Sequence, residues 1–352
     1  MDRRYAMVPG DGIGIDVTAE AVKVLKAASR LFGFGLTLEH FDFGAERYLA
    51  SGVTLPEGTL ELWSQFDAVF MGAFGDPRVP DMKHAADILL GTRFRMDLYA
   101  NVRPVRCLSE RLCPLRHYAA SDIDFVVFRE NTEGAYAGMG GIFKKGTPDE
   151  IGIQEDVNTR KGVERIIRAA FAYAAAEGRT KVTMSDKSNA LRHAHDIWQR
   201  VFHEVAAEYP GIQSNHLYVD ALTMQLVKDP RQFEVIVTCN MFGDIVTDLG
   251  AALQGGLGMA ASGNIHPGRT SMFEPVHGSA PKYAGTDTAN PFGAILTAGM
   301  MLEHTGLVDA ARAIEAAVVA CLEARECTAD VGGSLGARAA TDAVVSRMTK
   351  HS

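Results

Sequence analysis

The chain has 352 residues, 47% hydrophobic and 22% charged, enough for two domains or one large one around a sizeable core. A net charge of −8 without any block of Lys or Arg argues against nucleic acid as a partner, so an anionic ligand would need a local basic cluster. Five cysteines, odd in number and without CxxC spacing, argue against a disulfide framework or zinc site, and a cytoplasmic location fits. MDRRYAMVPGDG carries no apolar core of signal-peptide length, and no run of 18 apolar residues predicts a membrane span.

Residues 5–8 read as a short strand ending in the turn PGDGIG (9–14), with a helix over about 16–31 behind it. Such a turn lets a phosphate or ribose approach backbone N–H groups. It departs from the dinucleotide fingerprint, because Ile15 stands where that motif needs glycine or alanine. A standard Rossmann domain is therefore disfavoured. Residues 36–43 and 68–73 are further strands, and this alternation of strands and helices predicts an α/β fold with a largely parallel sheet. Ligands in such sheets sit beyond the carboxyl ends of the strands.

In ILLGTRFRMDLYANVRPVR (88–106), Arg93, Arg95, Arg103 and Arg106 read as a positive stripe beside Ile88, Leu89 and Leu90. Arginine grips a carboxylate bidentately, so this is a candidate for the required basic cluster; a snorkelling helix face is the alternative. Residues 124–129 form a strand that ends at Arg129, and Tyr136 follows seven residues on. Residues 138–154 look like an exposed arm or hairpin, and 161–176 like an amphipathic helix with Val163, Ile166, Ile167, Ala170 and Phe171 on one face. A strand over 181–185 leads to Asp186-Lys187-Ser188-Asn189, where Lys187 is read as starting a helix, an environment that lowers a lysine pKa. Asp220 follows a strand at 217–219, at a helix start where N-capping would account for it.

The stretch EVIVTCNMFGDIVTDL (234–249) reads as a buried strand turning into a helix. Asp244 and Asp248 lie four apart, their Cβ atoms roughly 5–6 Å from one another on one helix face. Like charges at that spacing weaken a helix, and a hard divalent cation reverses the sign. A solvated acidic face is the bland alternative. Helices over 292–303, 310–324 and 337–348 complete the chain.

The whole set resembles the β-decarboxylating dehydrogenases: isocitrate, 3-isopropylmalate, homoisocitrate and tartrate/D-malate dehydrogenases. The motifs are PGDGIG, the R-x9-R spacing of Arg93 and Arg103 in LYANVRP, RENTEGAY (129–136), DKSN (186–189), VDA (219–221), N-x-F-G-D-I-x-x-D (240–248) and EPVHGSAP (274–281). The resemblance implies the isopropylmalate dehydrogenase-like, non-Rossmann fold, with two intimately joined domains around a shared sheet. The large one would take 1–99 plus 253–352, and the small one 100–252.

It further implies that Arg93, Arg103 and Arg129 bind the carboxylates of a malate moiety. Asp244 and Asp248, with Asp220 of a second subunit, would hold Mg²⁺ or Mn²⁺. Lys187, also from the second subunit, would be the general base and Tyr136 the acid. A homodimer with shared sites follows, with tetramers open. Ile13, Glu274, His277, Gly278, Ser279, Ala280, Lys282, Tyr283 and Asn290 would line the cofactor site. NAD is favoured because the loop TADVGG (328–333) lacks a phosphate-binding tyrosine and arginine; Lys282 keeps NADP open. By the same resemblance Leu89 and Leu90 would face the malate 3-position and disfavour a third carboxylate, because burying one unpaired is costly. Similarity to the tartrate/D-malate branch puts D-malate or tartrate first, with 3-isopropylmalate as the alternative. A catalytically silent subunit of a hetero-oligomeric dehydrogenase is the rival of another class.

Overall fold

The computed structural model describes residues 2–349, packed as two compact units. The first takes the residues up to Leu98, then Arg106–Ser121, and the residues from Ala251 onward. It opens with β1 (Asp2–Gly10), α1 (Ile13–Phe32), β2 (Gly35–His40), α2 (Ala45–Ser51), α3 (Thr59–Trp63), β3 (Ala68–Ala73) and α4 (Lys83–Arg95). The second unit covers Tyr99–Val105 and Asp122–Gly250. It holds β4 (Ala100–Arg106), β5 (Asp124–Glu130), the hairpin β6 (Gly140–Phe143) and β7 (Ile151–Gln154), α5 (Arg160–Ala176), β8 (Lys181–Asp186) and α6 (Asp196–Ala206). Next come β9 (Gln213–Tyr218), α7 (Val219–Lys228), β10 (Val235–Thr238) and α8 (Asn240–Leu253). The chain closes with β11 (Ala261–Ile265), β12 (Ser271–Pro275), α9 (Phe292–His304), α10 (Val308–Glu323) and α11 (Ala337–Arg347).

Strands of the first unit follow the order β2-β1-β3-β12-β11. β1 pairs parallel with β2 and β3, β12 pairs parallel with β3, and β11 pairs antiparallel with β12. In the second unit the order is β4-β5-β10-β8-β9, and β10 is parallel to both β5 and β8. Central strands read as continuous apolar runs because both faces are covered: AVFMGA of β3 and VIVT of β10 are buried throughout.

The helices follow their apolar periodicity. Val17, Ala21, Val24 and Leu25 of α1 have no exposed surface and pack into one cluster with Ile295, Ile314 and Val318. Helix α5 buries Val163, Ile166, Ile167, Ala170 and Phe171, and Thr159 caps it by accepting the Gly162 amide at 3.0 Å. Each such aliphatic side chain contributes roughly 1.5–3 kcal/mol on burial.

The structure corrects several expectations. Segment 106–121 belongs to the first unit, not the second, because Arg106 pairs with Glu315 at 2.8 Å and Arg111 donates to the Val331 carbonyl at 3.1 Å. The four arginines form no single stripe: Arg93 is buried and paired with Glu274, Arg95 folds back onto the Gly91 carbonyl, and Arg106 is held by Glu315. Lys187 does not start a helix. Residues 187–195 form turns closed by the Lys187 carbonyl, which accepts the Ala190 and Leu191 amides, and α6 begins only at Asp196. Asp220 lies inside the first turn of α7, whose N-cap is Tyr218, so capping does not account for it. No helix among the described residues is long and apolar enough to cross a membrane.

Candidate active site

The second unit collects charge where β5, β10 and α8 end or begin. Arg129 stands near the carboxyl end of β5 and is buried, so its cation needs partners. Its Nε and Nη2 donate to Asn240 Oδ1 at 3.0 and 2.8 Å, and its Nη1 donates to Asp244 Oδ1 at 2.6 Å. Asn240 opens α8 and is itself anchored, donating from Nδ2 to the Glu133 carbonyl at 3.0 Å. Gly243 is what lets the guanidinium cross the helix, since any side chain there would collide with the Arg129 stem.

Asp244 is thus shared. Beyond Arg129, Arg103 Nη2 lies 3.5 Å from its Oδ1, and the Tyr136 hydroxyl donates to its Oδ2 at 3.0 Å. The Tyr136 ring lies under the Arg129 guanidinium at 5.4 Å. Arg103 is oriented by Thr247, whose Oγ1 accepts its Nη1 at 2.6 Å. One turn on, burial first and the like charge of Asp244 second push the Asp248 carboxyl up, with Arg103 and Arg129 opposing. Two aspartates on one helix face, the second resisting ionisation, are hard oxygen donors of the kind that suits Mg²⁺ or Mn²⁺.

Lys187 and Asp220 form a separate group in the same unit. The Lys187 Nζ donates to Asp220 Oδ1 and lies 5.9 Å from the Tyr218 ring. That bond holds the Asp220 carboxyl below the usual carboxylate range. Burial alone would raise the neighbouring Asp186, but His216, the Ser188 amide and Gln199 together hold it low. Among the described residues no three His, Cys, Asp or Glu side chains gather to bind a metal, so Asp220, Asp244 and Asp248 do not meet within one chain.

In the first unit the two glycine-bearing loops interlock. The Ile13 amide donates to the Ser279 carbonyl at 2.8 Å, and a Cβ on Gly12, whose φ is +55°, would stand 2.2 Å from that oxygen. His277 is buried with Nδ1 3.0 Å from the Gly278 carbonyl, and its Nε2 is buried without a hydrogen-bond partner. Burial pushes its pKa down. A neutral ring that donates from Nδ1 leaves an orphan acceptor at Nε2, which suits a hydroxyl or amide donor from a dinucleotide. Lys282 lies 4.6 Å over the Tyr283 ring, and both side chains are exposed. Gly278 follows His277 directly, and Ala280 adopts the left-handed region at φ +35°.

Two expected contacts are occupied within the protein. Glu274 accepts from Arg93 and from Asn264 Nδ2 at 2.8 Å, and Asn290 bridges Asp330 and the Phe292 amide at 3.0 Å each. Leu89 and Leu90 of α4 are half-buried. Sequence reasoning missed Asn240, Gly243, Thr247 and His195 as supports of the charged side chains. Gly243 carried a signal, because glycine inside a helical pattern usually has a packing reason.

The family model described as isocitrate/isopropylmalate dehydrogenase matches residues 4–348. A 3-isopropylmalate dehydrogenase of Thermobifida fusca is 50% identical over 324 residues, 92% of each chain. One from Streptomyces coelicolor is 47% identical over 342 residues, 95% of this chain and 98% of its own. The crystal structure of isocitrate dehydrogenase from Methylococcus capsulatus superposes with a TM-score of 0.89 at 37% identity, covering 99% of this chain and 100% of that one. The names of the sequence relatives fall on 3-isopropylmalate, the alternative of the sequence reading, and not on tartrate or D-malate. The motifs that carry the family resemblance do not by themselves separate its branches.

Proposed function

The chain belongs to the isocitrate/isopropylmalate dehydrogenase family and is a decarboxylating dehydrogenase, and we propose that its substrate is 3-isopropylmalate, with NAD as oxidant and Mg²⁺ or Mn²⁺ as cofactor. The observation that carries the substrate is the set of relatives of that name at 44–50% identity. The half-buried Leu89 and Leu90 support it, since an isopropyl group needs an apolar wall and a third carboxylate would be disfavoured there.

Each residue then has a task. Arg129 and Arg103, already desolvated and oriented, would take substrate carboxylate oxygens, with Arg93 as the third arginine. Asp244 and Asp248, with Asp220 of a second copy of this chain, would hold the divalent cation. A cation there supplies Lewis-acid stabilisation of charge growing on substrate oxygen, and the nicotinamide accepts the hydride. The Lys187 amine would take the proton of the 2-hydroxyl, and the Tyr136 hydroxyl would deliver one to carbon after CO₂ leaves. Lys187 and Asp220 pair with each other, apart from the Asp244 cluster, which supports a homodimer that completes each site from two chains.

The test is a panel of kcat/KM values for 3-isopropylmalate, D-malate, tartrate and isocitrate, each with NAD and with NADP, in the presence of Mn²⁺. The expected leader is 3-isopropylmalate with NAD, by at least about tenfold. A higher value for D-malate or tartrate overturns the substrate assignment.

A further inference from the structure

One buried histidine has no task in the scheme above. His195 has no exposed surface, yet it stands at the end of an irregular run of turns, where nothing in the backbone pattern calls for an imidazole. Its Nδ1 accepts the backbone N–H of Lys187 at 3.1 Å, across eight residues. Its Nε2 lies 3.2 Å from Asp156 Oδ2, and its ring meets Phe242 edge-on at 5.6 Å. A backbone N–H only donates, so Nδ1 must keep its lone pair, and the ring proton therefore sits on Nε2, facing the carboxylate. Both sides of the ring select the same tautomer.

Asp156 is anchored in turn. It accepts from Asn158 at 3.1 Å, and the adjoining Val157 carbonyl accepts the Gly134 amide at 2.7 Å, two residues before Tyr136. A continuous path thus runs from the segment bearing Tyr136, through Asp156 and His195, to the backbone of Lys187. Since the turns after β8 give the Lys187 amide no regular partner, His195 takes the place of one.

We infer that His195 is a positioning residue for Lys187: by accepting its backbone N–H, and by being locked through Asp156, it fixes the place from which the lysine amine takes a proton. The inference rests on the reading of Lys187 as the base. Misplacing a catalytic group by about an ångström costs on the order of a hundredfold in rate.

Two substitutions divide the ring's functions. His195→Asn keeps an oxygen where Nδ1 stood, and His195→Gln keeps a polar atom where Nε2 stood but leaves the Lys187 amide unpaired. With the best substrate of the panel, the Asn variant retains kcat within about threefold, while the Gln variant loses at least about tenfold with KM within about twofold. A purely structural histidine would lower both kcat values alike, in step with Tm, and that result overturns the inference. The intact protein gives a second reading: its histidine ¹⁵N spectrum must show His195 protonated at Nε2 alone, and a protonated Nδ1 overturns the inference even if a variant fails to fold. Lys187→Ala serves as the control. If that variant turns over normally, the reading of the base falls; if it is silent and His195→Gln is fully active, only the positioning role falls.

Discussion

A Cβ placed on Gly243 would stand 2.5 Å from Cγ of Arg129 and 2.6 Å from its Cβ. The glycine in the first turn of α8 is a channel for the arginine stem, and it determines where the guanidinium meets Asp244. Gly243→Ala should raise KM for the substrate at least about tenfold and lower stability by about 1–3 kcal/mol, the usual cost of overpacking. Steady-state kinetics and urea melts check both; an unchanged KM would mean that Arg129 does not need this path.

Asp248 makes a prediction about the metal-free protein. Its carboxyl pKa is raised in the folded chain, so the folded state is weakened as pH climbs from the ordinary carboxylate value through the raised one. At neutral pH Asp248→Asn should therefore raise Tm in the presence of EDTA. Mn²⁺ at a hundredfold over its Kd should stabilise the wild type by about 2.7 kcal/mol and the variant by much less. Equal stabilisation of both by Mn²⁺ would remove Asp248 from the metal site.

Lys187→Ala should lower kcat by about 10²–10⁴-fold while NAD affinity, measured by titration calorimetry, stays within about twofold. Loss of NAD binding in step with kcat would point to a folding defect in the turns after β8.

Lys282 is an exposed cation directly after the EPVHGSAP loop. If it faces the adenosine ribose, Lys282→Asp should move the NAD/NADP ratio of kcat/KM toward NAD by at least about tenfold, a change worth 1.4 kcal/mol. An unaltered ratio would show that another group reads the 2′ position.

Much of this architecture was legible because it depends on local periodicity. The face Val163, Ile166, Ile167, Ala170, Phe171 identified α5, and the buried runs of β3 and β10 were plain from composition. Residues 187–195 were not, since their turns are closed by the Lys187 carbonyl and by His195, contacts with no periodic signature. The clustering of Arg129, Tyr136 and Asp244 depends on strands β5 and β10 lying side by side, a long-range pairing that spacing alone does not reveal. The relatives' names favour the alternative substrate over the first choice of the sequence reading for a related reason: the quoted motifs run through the whole family, and Leu89 and Leu90 are a slender signal for telling its branches apart.

The division of acidic groups between Lys187–Asp220 and Asp244–Asp248 has a consequence for mixtures of defective proteins. A chain lacking the lysine still offers intact Arg129, Tyr136 and Asp244, and one carrying Asp244→Asn still donates Lys187 and Asp220. Refolded together at equal amounts from denaturant, the two dead variants should pair at random and regain about a quarter of wild-type activity, because half the pairs contain one undamaged centre. Revival of that kind, from two preparations each inert alone, would be the signature of an enzyme whose working unit straddles the boundary between its copies.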